Sequence, residues 1–214
     1  MADIVVIDYG MGNLRSVAKA LLTVAGKKTV VISADPNKIR SAKHVVLPGV
    51  GAIGDCMLEL ERRQLTDVVI NAMKNQLFLG ICLGMQALFD NSEENHQTAL
   101  LQFMPGQVRH FNTQLDTTQP DRKVPHMGWN QVKHDLSHPI WASIPQHSHF
   151  YFVHSYYVVP DNQTHTIATT DYQQPFTSAV GTDNVVAVQF HPEKSQEQGL
   201  QLLNNFIHWH GKTH

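Results

Sequence analysis

Gly80-Ile81-Cys82-Leu83-Gly84-Met85-Gln86 sets a cysteine just after the apolar Leu77-Phe78-Leu79 and just before Gln86-Ala87-Leu88-Phe89, a stretch that reads as helical. A thiol at such a strand-to-helix elbow meets free backbone N–H groups and partial positive charge, which favour a thiolate and can receive a developing oxyanion. Taken alone, a single cysteine is more often a buried core residue than a nucleophile. Far along the chain, however, Val188-Gln189-Phe190-His191-Pro192-Glu193-Lys194-Ser195 supplies a base and a carboxylic acid two positions apart. Pro192 restricts His191 to extended geometry, so the Glu193 side chain can return toward the imidazole. A nucleophile, a base beside it and a third group that orients the base are the working parts of covalent acyl transfer. With 14 histidines in the chain, His191 alone says little, and the joint pattern says much more.

Two glycine-bearing turns touch the same chemistry. Pro48-Gly49-Val50-Gly51 follows the strand-like Val45-Val46-Leu47. Its glycines let backbone approach a ligand and leave the intervening peptide easy to rotate, although an ordinary loop fits the residues equally well. Gly10-Met11-Gly12 follows the first strand, as in dinucleotide-binding folds, but Arg15 stands where the third glycine would fall and no Gly-Lys-Ser/Thr loop occurs. No cofactor is expected. No metal is expected either, because His147-x-His149 and His208-x-His210 lack cysteine companions at structural-site spacing.

The elements that must position these groups alternate. Asp3–Ile7 reads as a strand, followed by a helix capped by Asn13, ended near Gly26, with Leu14, Val17, Ala18, Leu21 and Leu22 on one face. Val30–Ile32, Val45–Leu47 and Leu77–Leu79 read as further parallel strands, with one long helix, Asp55 to Lys74, between the last two. After Asn91 the pattern turns to short strands, including Ser148–Val153, with a hairpin around Thr182-Asp183-Asn184. Leu200, Leu203, Phe206 and Ile207 predict a closing amphipathic helix, and the Thr- and Gln-rich stretch 112–119 predicts a mobile surface loop. The expected fold class is α/β: a doubly wound, largely parallel sheet with added antiparallel strands in the C-terminal half, in one domain over residues 1–214. In such a sheet Cys82 and His191 both end strands at the carboxyl edge, where open α/β sheets place their sites.

At these motifs the chain resembles the class I glutamine amidotransferases, whose elbow reads Gly-x-Cys-x-Gly-x-Gln and whose distal motif reads His-Pro-Glu. Ile7-Asp8-Tyr9-Gly10-Met11-Gly12-Asn13-Leu14, Leu47-Pro48-Gly49-Val50-Gly51, Pro125-His126-Met127-Gly128-Trp129-Asn130 and Phe152-Val153-His154-Ser155-Tyr156 are similar to one branch of that family, the glutaminase subunits of imidazole glycerol phosphate synthases. The likeness runs from Ile4 to Ile207. It implies glutamine as substrate, with Cys82, His191 and Glu193 catalytic, and backbone of Val50, Gly51 and Leu83 as oxyanion site. It further implies substrate contacts from Gly51, Gln86, Glu94, Ser155 and Tyr156, and a heterodimer with a (β/α)8-barrel cyclase docked on Asn13, Met127, Trp129 and Lys194. Histidine biosynthesis is the pathway it implies. From the residues alone, Gln86 is a helical surface position, Glu94 a solvated loop charge and Trp129 as readily a core residue. Ala99-Leu100-Leu101-Gln102-Phe103 departs from the family pattern, where relatives carry glycine, and leaves the backbone there open. An amidotransferase feeding another acceptor, a thiol hydrolase of peptides and a catalytically silent binding module are the alternatives.

Composition narrows the field further. A formal charge of -2 gives no electrostatic footprint for nucleic acid or anionic membrane. No apolar run approaches the ~20 residues of a membrane span, and the chain reaches its first strand by Ile4 with no leader pattern. The expected location is cytoplasmic, which also suits a chain whose only cysteines, Cys56 and Cys82, make no disulfide framework. Cys56 reads as structural.

Overall fold

The structure, a computed structural model, describes residues 2–95, 97–111, 123–135, 137–172 and 174–211, so the stretch 112–119 lies outside the described residues. Strand β1 (Ile4–Ile7) is buried at every position because both its faces are covered. Ile4 and Val6 join one apolar cluster, Val5 and Ile7 the other. The same period-two division continues through β2 (Val30–Ser33), β3 (His44–Gly49) and β4 (Leu77–Cys82), where Val46, Leu79 and Ile81 face the first cluster and Val45, Leu47 and Phe78 the second.

Helices complete the two outer layers. α1 (Leu14–Val24) packs on the first cluster through Val17 and Leu21, while α2 (Pro36–Ser41), α3 (Ile53–Arg62) and α4 (Thr66–Asn75) bury Ile39, Cys56, Leu60, Val69 and Met73 in the second. The short α5 (Leu83–Gln86) leaves β4, and α6 (Gln196–His208) returns to lie beside α1 with Leu202, Leu203, Phe206 and Ile207 inward. Helices on both faces of parallel strands make the fold doubly wound.

The remaining strands are β5 (Asn91–Ser92), β6 (Thr98–Ala99), β7 (Gly106–His110), β8 (His126–His134), β9 (Ser148–His154), β10 (Tyr156–Pro160), β11 (Thr166–Tyr172), β12 (Gln174–Gly181) and β13 (Val185–Val188). The sheet runs β2-β1-β3-β4-β13-β12-β10-β7-β5-β6. Its first five members are parallel; β12, β10 and β7 then pair antiparallel, and β8, β9 and β11 extend from β12 as further antiparallel strands. The predicted hairpin at 182–184 joins β12 to β13, where Asn184 Nδ2 donates to the carbonyls of Met73 and Gln76.

Three local expectations are corrected. Residues 55–74 form two helices because the chain closes α3 with a Schellman motif: Gln64 takes φ 56°, its N–H donates to the Glu61 carbonyl, and the Leu65 N–H donates to the Leu60 carbonyl. Glutamine in place of glycine hides that stop in the sequence. Residues 87–89 do not continue α5, because the carbonyls of Ala87, Leu88 and Phe89 instead accept from the N–H groups of Leu101, Phe103 and Gln102. This is also the backbone adopted by the 99–103 segment, with Gln102 at φ 54°. Asn13 stands at the N-cap of α1, yet its side chain makes no capping bond there.

Phe206 couples α6 to the first cluster and meets the His44 ring edge-on at 5.2 Å. Phe206→Ala should cost about 3–5 kcal/mol, read as a lower urea midpoint with an unchanged slope.

Candidate active site

Register places the chemistry before any side chain is considered. Gly49 lies opposite Cys82 across the β3/β4 pair, and Ile81 lies opposite Val188 across β4/β13. Cys82 therefore leaves the carboxyl edge of one strand while His191 leaves the same edge of its neighbour. Cys82 holds φ 55° and ψ −107°, a backbone state costly for a residue with a Cβ, and sits at the N-cap of α5. The flanking glycines act by close approach. A Cβ on Gly84 would stand 1.9 Å from the Leu47 carbonyl oxygen, and one on Gly80 would stand 2.5 Å from the Gly84 oxygen. Only bare backbone lets the first turn of α5 rest on β3 and hold the elbow.

The His191 imidazole is buried, with Nδ1 2.9 Å from Glu193 Oε1 and the Glu193 side chain 1% exposed. Burial disfavours the imidazolium, but the proximity of Cys82 and the Glu193 contact outweigh it and push the His191 pKa up to about 10. The turn carrying both groups is fixed from β9: His191 N–H donates to the Tyr151 carbonyl, the Ser195 hydroxyl donates to the His191 carbonyl, and Tyr151 N–H donates to Ser195 Oγ.

Cys82 and His191 open onto a cavity of about 300 Å³ whose wall includes Val50, Gly51, Leu83, Gln86, Glu94, Ser155 and Tyr156. Every predicted oxyanion and substrate residue is thus brought to the space beside the thiol. Gly51 takes φ 99°, a conformation that favours glycine, and Val50 is exposed. Gln86 is not a surface residue. It is 2% exposed, donating through Nε2 to the Tyr156 carbonyl at 3.2 Å and to Gln189 Oε1 at 3.1 Å, with Oε1 buried and unpartnered. Glu94 is not a free solvated charge either, since Oε2 accepts from the Ile53 N–H at the start of α3. Burial, then the nearby Glu94 and Glu93, raise the Tyr156 phenol above its ordinary pKa.

The class I glutamine amidotransferase model matches residues 5–209. The imidazole glycerol phosphate synthase subunit HisH of Nitrosococcus oceani is 54% identical over 211 residues, covering 99% of each chain. That of Nitrosomonas europaea is 51% identical, covering 98% of this chain and 99% of its own. The chain belongs to the class I glutamine amidotransferase family, in the branch of the HisH subunits. A solved structure titled PurLQS, from Thermotoga maritima, shares the fold at TM-score 0.68 and 16% identity, over 97% of this chain and 98% of that one.

This amidotransferase site contains groups that the sequence motifs did not single out. Gln189 is fully buried and its Nε2 lies 3.6 Å from the Cys82 sulfur. The only signal for it was its place between Val188 and His191. His154, Val153 and Pro125 also line the cavity. The predicted docking residues lie outside it: Asn13 and Lys194 are exposed, and Met127 and Trp129 are 62% and 46% exposed, which places Trp129 on the surface and not in the core. Lys194 Nζ stands 5.7 Å from the Tyr151 ring centroid, and Trp129 packs edge-on against that same ring. Cys56 is buried in α3, and burial pushes its thiol pKa up to about 11. Among the described residues no helix is long and apolar enough to cross a membrane.

Gly84→Ala tests the elbow. The added methyl group should cost on the order of 3 kcal/mol by overpacking against Leu47 and slow Cys82 alkylation by iodoacetamide, whereas unchanged melting and alkylation would refute the close-contact account.

Proposed function

We propose that this chain is the glutaminase of an imidazole glycerol phosphate synthase, releasing ammonia from glutamine by covalent catalysis at Cys82. The observation that carries the reading is the meeting of Cys82 and His191, backed by Glu193, on one cavity lined by Gln86, Glu94, Ser155 and Tyr156. Cys82 thiolate attacks the side-chain carboxamide carbon, forming the C–S bond of a tetrahedral adduct. Its oxyanion is received by the N–H of Leu83 and by the Val50-Gly51 backbone. Imidazolium His191 delivers its proton to the amide nitrogen as the C–N bond breaks, and ammonia leaves. Neutral His191 then takes a proton from water; the hydroxide adds to the thioester, thiolate departs and glutamate is released. Glu193 keeps the Nδ1 hydrogen in place throughout. Glu94 suits the substrate ammonium, and the Ser155-Tyr156 backbone suits its α-carboxylate.

Ammonia released into water would be protonated and lose its nucleophilicity, so the reaction is useful only with an acceptor site attached. The partner is a (β/α)8-barrel cyclase that joins ammonia to its acceptor, yielding imidazole glycerol phosphate and aminoimidazole carboxamide ribotide in histidine biosynthesis. That the similar HisH proteins are subunits of imidazole glycerol phosphate synthase supports this. Exposed Met127 and Trp129, with Lys194 and Asn13, form the docking face, since exposed Met and Trp suit interface cores. The enzyme acts in the cytoplasm as one amidotransferase domain spanning the chain.

Glutamine hydrolysis by the complex, measured with acceptor analogue present, should fall to background in Cys82→Ala and become partner-dependent in wild type. Undiminished turnover in Cys82→Ala would overturn the assignment. The pH profile carries a second test. The His191 pKa is raised, so the ion-pair contribution is complete below the ordinary imidazole value of 6.5 and is lost as pH rises through about 10. The alkaline limb of kcat/KM should lie near that value, and Glu193→Gln, by removing a supporting charge, should shift it to lower pH and reduce kcat by about tenfold or more. An unshifted limb would remove Glu193 from its orienting role.

A further inference from the structure

Two buried histidines, His154 in the cavity wall and His126 behind it, connect the β8/β9 pair to the substrate side of the site. His126 and His154 lie directly opposite each other in register, 3% and 6% exposed. His126 Nδ1 is 2.8 Å from His154 Nε2, and His154 Nδ1 is 2.7 Å from the Tyr156 carbonyl oxygen. Asn130 Nδ2 lies 3.2 Å from His126 Nε2 and also donates to the Asp171 carbonyl. Hydrogen positions follow from the last acceptor backward. The Tyr156 carbonyl can only accept, so His154 Nδ1 carries a hydrogen. In a neutral ring His154 Nε2 must then accept from His126 Nδ1, and His126 Nε2 accepts from the Asn130 amide. Burial keeps both rings neutral, holding the His126 pKa down to about 4 and that of His154 to about 3, with the nearby His191 a further contribution to the latter. The His126 ring is clamped between Phe152 and Tyr172, at centroid distances of 4.8 and 3.9 Å.

The far end of this chain is the backbone that lines the cavity. Tyr156 carbonyl accepts from Gln86 Nε2 as well as from His154, and the Ser155 carbonyl accepts from the Phe111 N–H, so both peptide units are pinned by internal donors. We propose that His126 and His154 form an uncharged hydrogen-bond relay that positions the Ser155-Tyr156 backbone to receive the α-carboxylate of glutamine. They are positioning residues, acting through Tyr156 and not on the reacting carboxamide. This rests on the glutaminase reading and specifies how its substrate end is held.

Two thiol reagents separate the roles. Iodoacetamide needs only a reactive Cys82, whereas a diazoketone analogue of glutamine keeps the α-amino and α-carboxylate groups and alkylates the same sulfur with loss of N2 after binding as substrate does. In the complex with its cyclase partner, His126→Phe, which keeps an aromatic ring in the clamp, and His154→Phe should slow diazoketone labelling by about tenfold or more while iodoacetamide alkylation stays within about twofold of wild type. His154→Asn, whose amide can still donate to the Tyr156 carbonyl, should recover most of the labelling rate, and glutamine KM should move more than kcat across the series. Diazoketone labelling unchanged in His126→Phe and His154→Phe alike, or both reagents slowed to the same extent, would overturn the relay. Failure of wild type to gain the diazoketone adduct on Cys82 would instead count against the glutaminase reading itself.

Discussion

The contact of Gly84 with the Leu47 carbonyl is the constraint on which the site depends. It lets α5 start directly above β3, and that start forces Cys82 into a left-handed backbone state no unconstrained cysteine would keep. The strain persists because the elbow is determined from several sides at once. β4 is hydrogen-bonded in register to β3 and β13, Ala87, Leu88 and Phe89 are tied to the 101–104 segment, and Leu83 and Met85 are buried in the second cluster. A local cost of a few kcal/mol is small beside cooperative packing of that extent, and in return the sulfur is held at the head of a helix and over the cavity.

Electrostatics follow from the same placement. A raised His191 pKa inside a buried site requires partners that favour the imidazolium, and Cys82 and Glu193 are the two that the sheet edge supplies. The other histidines close by would weaken that arrangement if they carried charge. His154 does not, because burial and the proximity of His126 and His191 all act against its protonation. One charged imidazole among neutral ones is therefore a consequence of which ring has carboxyl and thiol neighbours. Identical side chains acquire different roles from their surroundings.

Much of this was legible in the chain. Period-two apolar runs over Ile4–Ile7, Val45–Leu47, Leu77–Leu79 and Val185–Val188 announce strands covered on both faces, and that sheet orders Cys82 and His191 along one edge without further information. The family motifs then led to Val50, Gly51, Leu83, Gln86, Glu94, Ser155 and Tyr156 on the cavity wall, but assigned no role to Pro125, Val153 or His154 beside them. What stayed hidden depended on tertiary competition. The break at Gln64 uses a side chain with no turn preference, and the stop after Gln86 comes from carbonyls captured by a segment fifteen residues downstream, roughly the separation at which periodicity ceases to inform. Gln86 and Glu94 read as polar surface positions because their buried partners, Gln189, the Tyr156 carbonyl and the Ile53 N–H, come from other elements. The orientation of Trp129 was equally invisible, since alternation along β8 fixes which residues share a face but not which face meets solvent.

The cavity is a seam between two kinds of sheet. Parallel strands lead into Cys82, His191 and the Val50-Gly51 turn; antiparallel β8, β9 and β10, with the Ser155 turn between the last two, carry the histidine pair and Tyr156. β9 belongs to the second group yet reaches the first, because Tyr151 brackets the His191 turn through its N–H and carbonyl while its ring touches exposed Trp129 and faces Lys194. One strand thus contacts the His191 turn through residue 151 and leads directly into the cavity backbone at residues 154–156.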